Sequence, residues 1–365
     1  MKVLFDHQIF LLQKYGGVSR YIVRLNEHLN NLGVNSKIYS PISINSHIKF
    51  KNKTEINHFK FKKIYKYCTK LFNYYNGSFT NLYLNNFKPD IIHQTYYKKN
   101  YKLKKKKPIV LTVYDLIHEK FYEKYNLKTN NKWKLNSIKD ADHIICISQN
   151  TQKDLLSYYD VSKDKTSVIY LASDIKPNFK KNNERINVID KFILYVGDRK
   201  RYKNFYNFVK AFSNSKILKK EYKIICCGSS NFDYEEINFF KKNNLDLEKI
   251  NFVQGDDNQL LYLYENASSL VFPSKYEGFG LPAIEAMSLG CPVIASRINI
   301  FEEILENNAA FFNPNEIEDI QKTMEDILLS KDKLNELSAL GLKHSKKFNW
   351  QNCAKETLNI YKRLY

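Results

Sequence analysis

Four side chains, two carboxylates and two cations, have the types and spacing to bind a polar ligand. Glu277 and Glu285 stand in the stretch VFPSKYEGFGLPAIEAMSLGCPVIAS, with seven residues between them. An ionised carboxylate only accepts hydrogen bonds, so a spaced pair suits hydroxyl-rich ligands such as a hexose or a ribose. Arg199 and Lys203 lie in YVGDRKRYKNF, where spaced cations follow Gly197. Cations behind a glycine turn suit phosphate, and a guanidinium can meet it bidentately. The plainer alternatives are helix-start carboxylates favoured by the helix dipole and an exposed basic turn.

The elements around these residues read as strand, turn and helix. Val271 and Phe272 end an apolar strand that Pro273 and Ser274 stop. The turn Glu277-Gly278-Phe279-Gly280 supplies two glycines where the backbone must bend sharply or approach a ligand. Pro282 suits the first position of a helix running to Leu289. Gly290 is its expected left-handed stop, and Val293–Ala295 is the next strand. A helix start behind such a turn gathers free N–H groups, so the backbone of Gly278, Phe279, Gly280 and Leu281 is a candidate donor-binding surface. The strand Phe192–Val196 delivers Gly197, Arg199 and Lys203 to a second helix start. Buried strands at 222–228 and 250–255 deliver Gly228 and Val253.

The run EGFGLPAIEAMSLGCPVIAS closely resembles the signature of retaining glycosyltransferases of family 4. In that family the first Glu lies near the transferred sugar and the second binds the ribose. The resemblance therefore implies those roles for Glu277 and Glu285. YVGDRKRYKNF resembles the family's Gly…Arg/Lys…Lys-Asn element, which implies that Arg199 and Lys203 hold the leaving diphosphate. The loops after Gly228 and Val253 are where relatives hold the base. GGVSRY resembles the N-terminal glycine loop that faces the diphosphate, which adds Gly16 and Gly17, although a tight turn explains the same pair. The similarity to mannosyltransferase-like members implies GDP-mannose or a related donor.

The N-terminal half carries further candidates. Strands ending near His93 and Val113 place HQTYY and YDLIHE at carboxyl ends, where doubly wound sheets bind ligands. These segments resemble those lining the family's acceptor side, so His93, Tyr96, Tyr114 and Asp115 are acceptor-side candidates. Many relatives carry His-Asp where this chain has Tyr114-Asp115, which leaves His118 as the nearby candidate for a catalytic role. Asp140-x-Asp142 precedes its strand instead of following it, so it reads as a helix end and not as a metal motif. No dinucleotide fingerprint is present, because no GxGxxG occurs and no acid ends the strand Ser36–Tyr39.

A length of 365 residues favours two domains. The resemblance implies an α/β architecture of the GT-B type, two doubly wound Rossmann-like domains facing a central cleft. Residues 1–175 form the acceptor side, 176–190 a linker and 191–348 the nucleotide-sugar domain. The last helix, 349–365, resembles the family's last helix, which implies that it packs back on the first domain. The Lys-, Asn- and Tyr-rich residues 45–88 read as helices separated by irregular segments, and the last strand of the first domain as Val168–Leu171. Six scattered cysteines without a CxxC pair point to a reducing compartment. With no signal-peptide pattern at MKVLFDHQIF, the expected location is cytoplasmic.

Charge is concentrated in one half. Residues 1–180 hold 32 Lys+Arg against 13 Asp+Glu, whereas residues 181–365 hold 26 against 25. The densest run is KKNYKLKKKK, Lys98–Lys107, which is either a solvated loop or an attraction to an anionic membrane surface or phosphate-bearing acceptor. No RRM, KH or zinc-finger pattern accompanies these lysines, which disfavours nucleic acid. The function expected is transfer of a hexose from a nucleotide sugar to a glycan or lipid-linked glycan, with no metal or other cofactor required. A sugar-nucleotide epimerase of the same fold and a non-enzymatic basic binding protein are the rival readings.

Overall fold

The computed structural model describes residues 1–14, 16–48, 65–97, 107–125, 131–173, 175, 191–199, 201–228, 230–254 and 257–365. The expected linker 176–190 and Lys98–Lys106 of the basic run lie outside the described residues. The chain divides into two compact units, Met1–Ala172 with Asn349–Tyr365, and Ser173–Phe348.

The first unit holds six parallel strands: β1 (Lys2–Phe5), β2 (Asn35–Ile38), β3 (Ile91–Gln94), β4 (Ile109–Val113), β5 (His143–Cys146) and β6 (Thr166–Val168). Their order is β2-β1-β3-β4-β5-β6, so the connections change direction between β1 and β3. β3 and β4 are buried along their whole length, as expected of parallel strands covered on both faces. β6 starts earlier than the Val168–Leu171 expected and ends where that segment began.

The second unit also has six parallel strands: β7 (Phe192–Val196), β8 (Lys223–Cys227), β9 (Ile250–Val253), β10 (Ser269–Phe272), β11 (Val293–Ser296) and β12 (Ala310–Phe312). Their order is β12-β11-β10-β7-β8-β9. Counted from β7, this is the doubly wound dinucleotide-fold order, and its direction reverses between β7 and β10. Its core joins Ile193, Tyr195 and Ile224 of the sheet to Phe205, Phe208 and Phe212 of the helix Phe205–Asn214.

Local sequence explains the ends of several helices. Ser148 accepts from the Thr151 N–H at the start of Gln149–Tyr158. Asp233 and Glu236 form a reciprocal capping box on Tyr234–Lys242. The helix behind the glycine turn is Leu281–Ser288, so Pro282 is its second residue, not its first. Gly280 takes φ +97°, and a Cβ there would lie 2.8 Å from the Phe301 ring, so only glycine fits. Gly278 is not among the glycines with positive φ, so one of the two turn glycines supplies the bend. Asp140 ends the helix Asn131–Asp140, and Asp142 Oδ2 accepts from the Ile109 N–H at 2.8 Å.

The expectation for residues 45–88 changes. Tyr65–Phe87 is one long helix, preceded by residues 49–64 outside the described set. At the other end of the chain, the helix Trp350–Leu364 belongs to the first unit. Its Trp350 ring lies 5.9 Å from Tyr21 and 5.8 Å from His28.

Candidate active site

The reversal point of the second sheet gathers the residues singled out by chemistry. β7 ends at Val196, and Gly197 follows with φ +130°. A short 3-10 turn, Arg201–Lys203, and Asn204 at φ +56° then bring the chain to the helix Phe205–Asn214. On the neighbouring strand β10, Ser274 and Glu277 come from the loop that leads into Leu281–Ser288. The two loops are tied together by the backbone, since Lys275 N–H donates to Tyr202 O at 2.7 Å.

Lys203 Nζ donates to Glu277 Oε1 at 2.6 Å, and Ser274 Oγ donates to the same oxygen at 2.8 Å. Both partners are largely buried. Burial pulls the Lys203 pKa down, but the Glu277 carboxylate beside it pushes harder, and the net shift is upward. The ammonium therefore stays charged. Of its three donors this bond uses one, and Glu277 Oε2 lies outside both bonds. A cation and an acceptor are thus presented side by side, one chemically suited to phosphate and the other to a hydroxyl.

Arg199 departs from expectation. Its Nε and Nη2 grip Glu236 at 2.7 and 3.0 Å, and Nη1 and Nη2 donate to the carbonyls of Ser230 and Asn231 at 2.9 and 3.0 Å. Its guanidinium also lies 4.9 Å from the Phe232 ring centre and 5.5 Å from that of Phe252. Four of the five N–H donors an arginine carries are committed to the protein. In this geometry Arg199 braces the loops after β7 and β8 and is not a free diphosphate ligand. Glu236 is the residue that sequence reasoning missed. Its signal was the Asp233-x-x-Glu236 spacing of a capping box, but that spacing says nothing about a distant arginine.

The other donor-side residues are placed as follows. Glu285 is buried in Leu281–Ser288, and its Oε2 accepts from the Tyr264 hydroxyl at 3.2 Å. Burial, and then the Glu285 charge, raise the Tyr264 pKa well above its ordinary value. A Cβ at Gly228 would fall 2.6 Å from the Gly197 carbonyl, so its smallness lets two loops cross. Phe279 turns inward, with its ring 5.7 Å from Phe348, so only its backbone is available to a ligand. Val253 ends β9 beside Cys227, and Leu281 opens its helix half-buried.

The first unit places its candidates less uniformly. Gly16 precedes the helix Gly17–Asn31 in extended backbone, and a Cβ there would run into the Gln13 amide. A Cβ at Gly17 would meet nothing within 4 Å. His93 is fully buried, with Nδ1 2.5 Å from the Tyr361 hydroxyl and Nε2 2.8 Å from Thr112 Oγ1. Burial pushes its pKa down to about 3, so a neutral ring is fixed between two hydroxyls. That corrects its assignment to the acceptor side, because both ring nitrogens are already engaged by the protein.

Tyr114 is also buried, its hydroxyl donating to Thr95 O at 3.3 Å, while half-buried Tyr96 stacks on it at 6.4 Å. Asp115 Oδ1 accepts from the Ile117 N–H at 3.1 Å. His118 stands exposed on the short helix Ile117–Lys120. Gln94 was not anticipated. It ends β3 at the reversal point of the first sheet, fully buried, and neither of its amide atoms has a hydrogen-bond partner among the described residues. Among the described residues there is also no cluster of three or more His, Cys, Asp or Glu that could hold a metal ion.

Two family models match consecutive stretches of the chain. Glycosyltransferase Family 4 matches residues 15–176, and Glycosyl transferases group 1 matches residues 177–344. The chain belongs to these glycosyltransferases. Among curated relatives, this glycosyltransferase is 33% identical over 218 residues to the O-antigen chain mannosyltransferase RfbU of Salmonella typhimurium. That match covers 58% of the chain and 56% of RfbU. It is 28% identical over 245 residues to the serotype-specific mannosyltransferase WbdA of Escherichia coli, covering 63% of the chain and 30% of WbdA. The matches thus span less than two thirds of either relative.

Solved structures share the fold at low identity. HepE from Anabaena, solved with UDP and glucose, superposes with a TM-score of 0.73 at 16% identity over the whole of both chains. WaaG, described as a glycosyltransferase involved in lipopolysaccharide biosynthesis, gives 0.73 at 12% identity, covering 99% of each chain. The fold of this glycosyltransferase is accordingly α/β of the GT-B type, built on two parallel six-stranded sheets.

Proposed function

We propose that the chain is a retaining hexosyltransferase. It takes a sugar, mannose above all, from a nucleoside diphosphate donor and passes it to a hydroxyl of a glycan or lipid-linked glycan. The observation that carries this reading is the Lys203–Glu277 pair at the reversal point of the second sheet, 2.6 Å apart in front of a glycine-turn helix. In the reaction the bond from the anomeric carbon to the diphosphate oxygen breaks, the bond to the acceptor oxygen forms, and the hydroxyl proton is released.

Lys203 and the N–H groups at the head of Leu281–Ser288 supply fixed positive charge to the departing diphosphate. Glu277 accepts from a sugar hydroxyl and so positions the ring, while Glu285, steadied by Tyr264, accepts from the ribose. Arg199 acts behind this set by holding the loops that carry it. The mannose choice is supported by the names of RfbU and WbdA, both mannosyltransferases. The reading needs no metal and assigns no covalent nucleophile.

The test has two steps. Thermal stability is measured with GDP, UDP, GDP-mannose and UDP-glucose, where a ligand of the native state raises the melting temperature. Release of nucleoside diphosphate is then followed with and without a glycan acceptor. Stabilisation by GDP-mannose with acceptor-dependent release is the expected result. Stabilisation without any acceptor-dependent release would favour the epimerase instead.

A further inference from the structure

Gln94 is a polar residue where the pattern of its strand calls for an apolar one. It ends β3 at the reversal point of the first sheet, where doubly wound folds admit ligands. Side chains two apart on a strand share a face, and so do residues opposed in register. Gln94 therefore lies on the face of Ile92, and on β4 it is opposed by Leu111. Ile92 packs with Leu4 and Leu84, and Leu111 packs with Leu116 and Ile138. An amide between two apolar clusters loses its water and gains nothing from them. Neither Oε1 nor Nε2 has a hydrogen-bond partner among the described residues, and the side chain is fully buried. Leaving such a group unpaired destabilises a fold, whereas a leucine or methionine there would not.

The backbone around the amide is tied on both sides. Asp6 N–H donates to His93 O at 3.3 Å, and Thr95 N–H donates to Asp6 Oδ1 at 2.9 Å. Thr95 Oγ1 donates to the same carboxylate oxygen at 2.7 Å, and the Tyr114 hydroxyl donates to Thr95 O. A fixed strand end that presents an unused donor and an unused acceptor is a preorganised recognition point. Its chemistry selects the ligand. A phosphate only accepts and would leave Oε1 unpaired, and an ammonium only donates and would leave Nε2 unpaired. Neighbouring sugar hydroxyls donate and accept, so they satisfy both halves of the amide. Lys203, Glu277 and Glu285, proposed above to hold the donor, all belong to the second unit, which leaves this point to the acceptor. We propose that Gln94 is a specificity residue for the acceptor: its amide donates to one sugar hydroxyl and accepts from the next. The inference rests on the transfer reaction proposed above. Because Gln94 is fully buried, the acceptor displaces a neighbouring side chain as it enters, and the two new hydrogen bonds offset that cost.

The test compares the parent chain with Gln94→Met, which keeps the length of the side chain and removes both polar atoms. Octyl glycosides of mannose, glucose, galactose and N-acetylglucosamine serve as acceptors, with the sugar nucleotide that stabilises the chain as donor. Release of nucleoside diphosphate is the readout. For the best acceptor, kcat/KM in Gln94→Met should fall about 10–100-fold, the scale of two hydrogen bonds. Monodeoxy analogues of that acceptor give the decisive comparison. The parent should discriminate against the analogue that lacks one particular hydroxyl, and the variant should lose that discrimination. Stabilisation by the nucleotide should be the same in both. The free variant should melt at or above the temperature of the parent, because no internal hydrogen bond is lost. No release with any glycoside would overturn the transfer reading and this inference with it. Release by the parent with equal kcat/KM in the variant, or with unchanged discrimination among the analogues, would overturn this inference alone. A melting temperature several degrees lower in the variant would also overturn it, by showing that the amide is paired within the folded protein.

Discussion

Lys203 Nζ and Glu277 Oε1 lie 2.6 Å apart although 74 positions separate the two residues. The contact exists because β7 and β10 are neighbours in the second sheet, so the loops that leave their carboxyl ends meet. The pair is thus a product of strand order, and its energetics should show coupling.

For Lys203 the expectation is kinetic. Lys203→Ala should lower turnover roughly 10²–10³-fold, the scale for one group that stabilises developing negative charge. Combined with Glu277→Ala in a double-mutant cycle, the effects should be non-additive, because the residues touch. Additive losses with a demonstrated donor would show that the two act separately.

Arg199 should behave differently. Arg199→Ala strands Glu236, which is almost wholly buried, without its ion partner. Removing one member of a buried pair typically costs about 3–5 kcal/mol, so urea denaturation should reveal a large stability loss. Arg199→Lys should recover little of it, since an ammonium cannot reproduce the two-pronged contact. A variant of parental stability but low turnover would restore Arg199 to the diphosphate.

Glu285 and Tyr264 offer a binding test. Glu285→Gln should weaken nucleotide binding by about 1–3 kcal/mol, the worth of a hydrogen bond to a charged group. Tyr264→Phe should have a smaller effect of the same sign, because it removes only the hydroxyl that steadies the acceptor. Calorimetry with the stabilising nucleotide measures both. Unchanged affinity in Glu285→Gln would leave that carboxylate a purely structural role.

His93 and His7 predict how stability follows pH. Burial pushes both rings down to about 3 from an ordinary value of 6.5. The unfolded chain binds a proton at each below pH 6.5 and the folded chain does not, so folding should lose stability as pH falls from 6.5 towards 3. His93→Asn should flatten that slope by about one proton in denaturation curves collected across the range. An unchanged slope would mean that His93 is charged in the folded protein.

The family and the α/β class were legible in the sequence because their signals are local. Apolar runs bounded by Gly and Pro mark parallel strands, and the glycine turn ahead of Leu281–Ser288 brings its own backbone geometry. The capping residues Ser148 and Asp233 likewise need only neighbours within one turn. Tertiary structure alone decided which polar groups meet. Arg199 met Glu236, and His93 was sealed between Thr112 and Tyr361 from the last helix. Asn76 and Thr80 of the helix Tyr65–Phe87 turned inward to Ile42 and His7 of the first unit. The physical reason is the same in each case. A backbone records its local preferences residue by residue, whereas a buried polar side chain must find a partner wherever the packed sheets bring one.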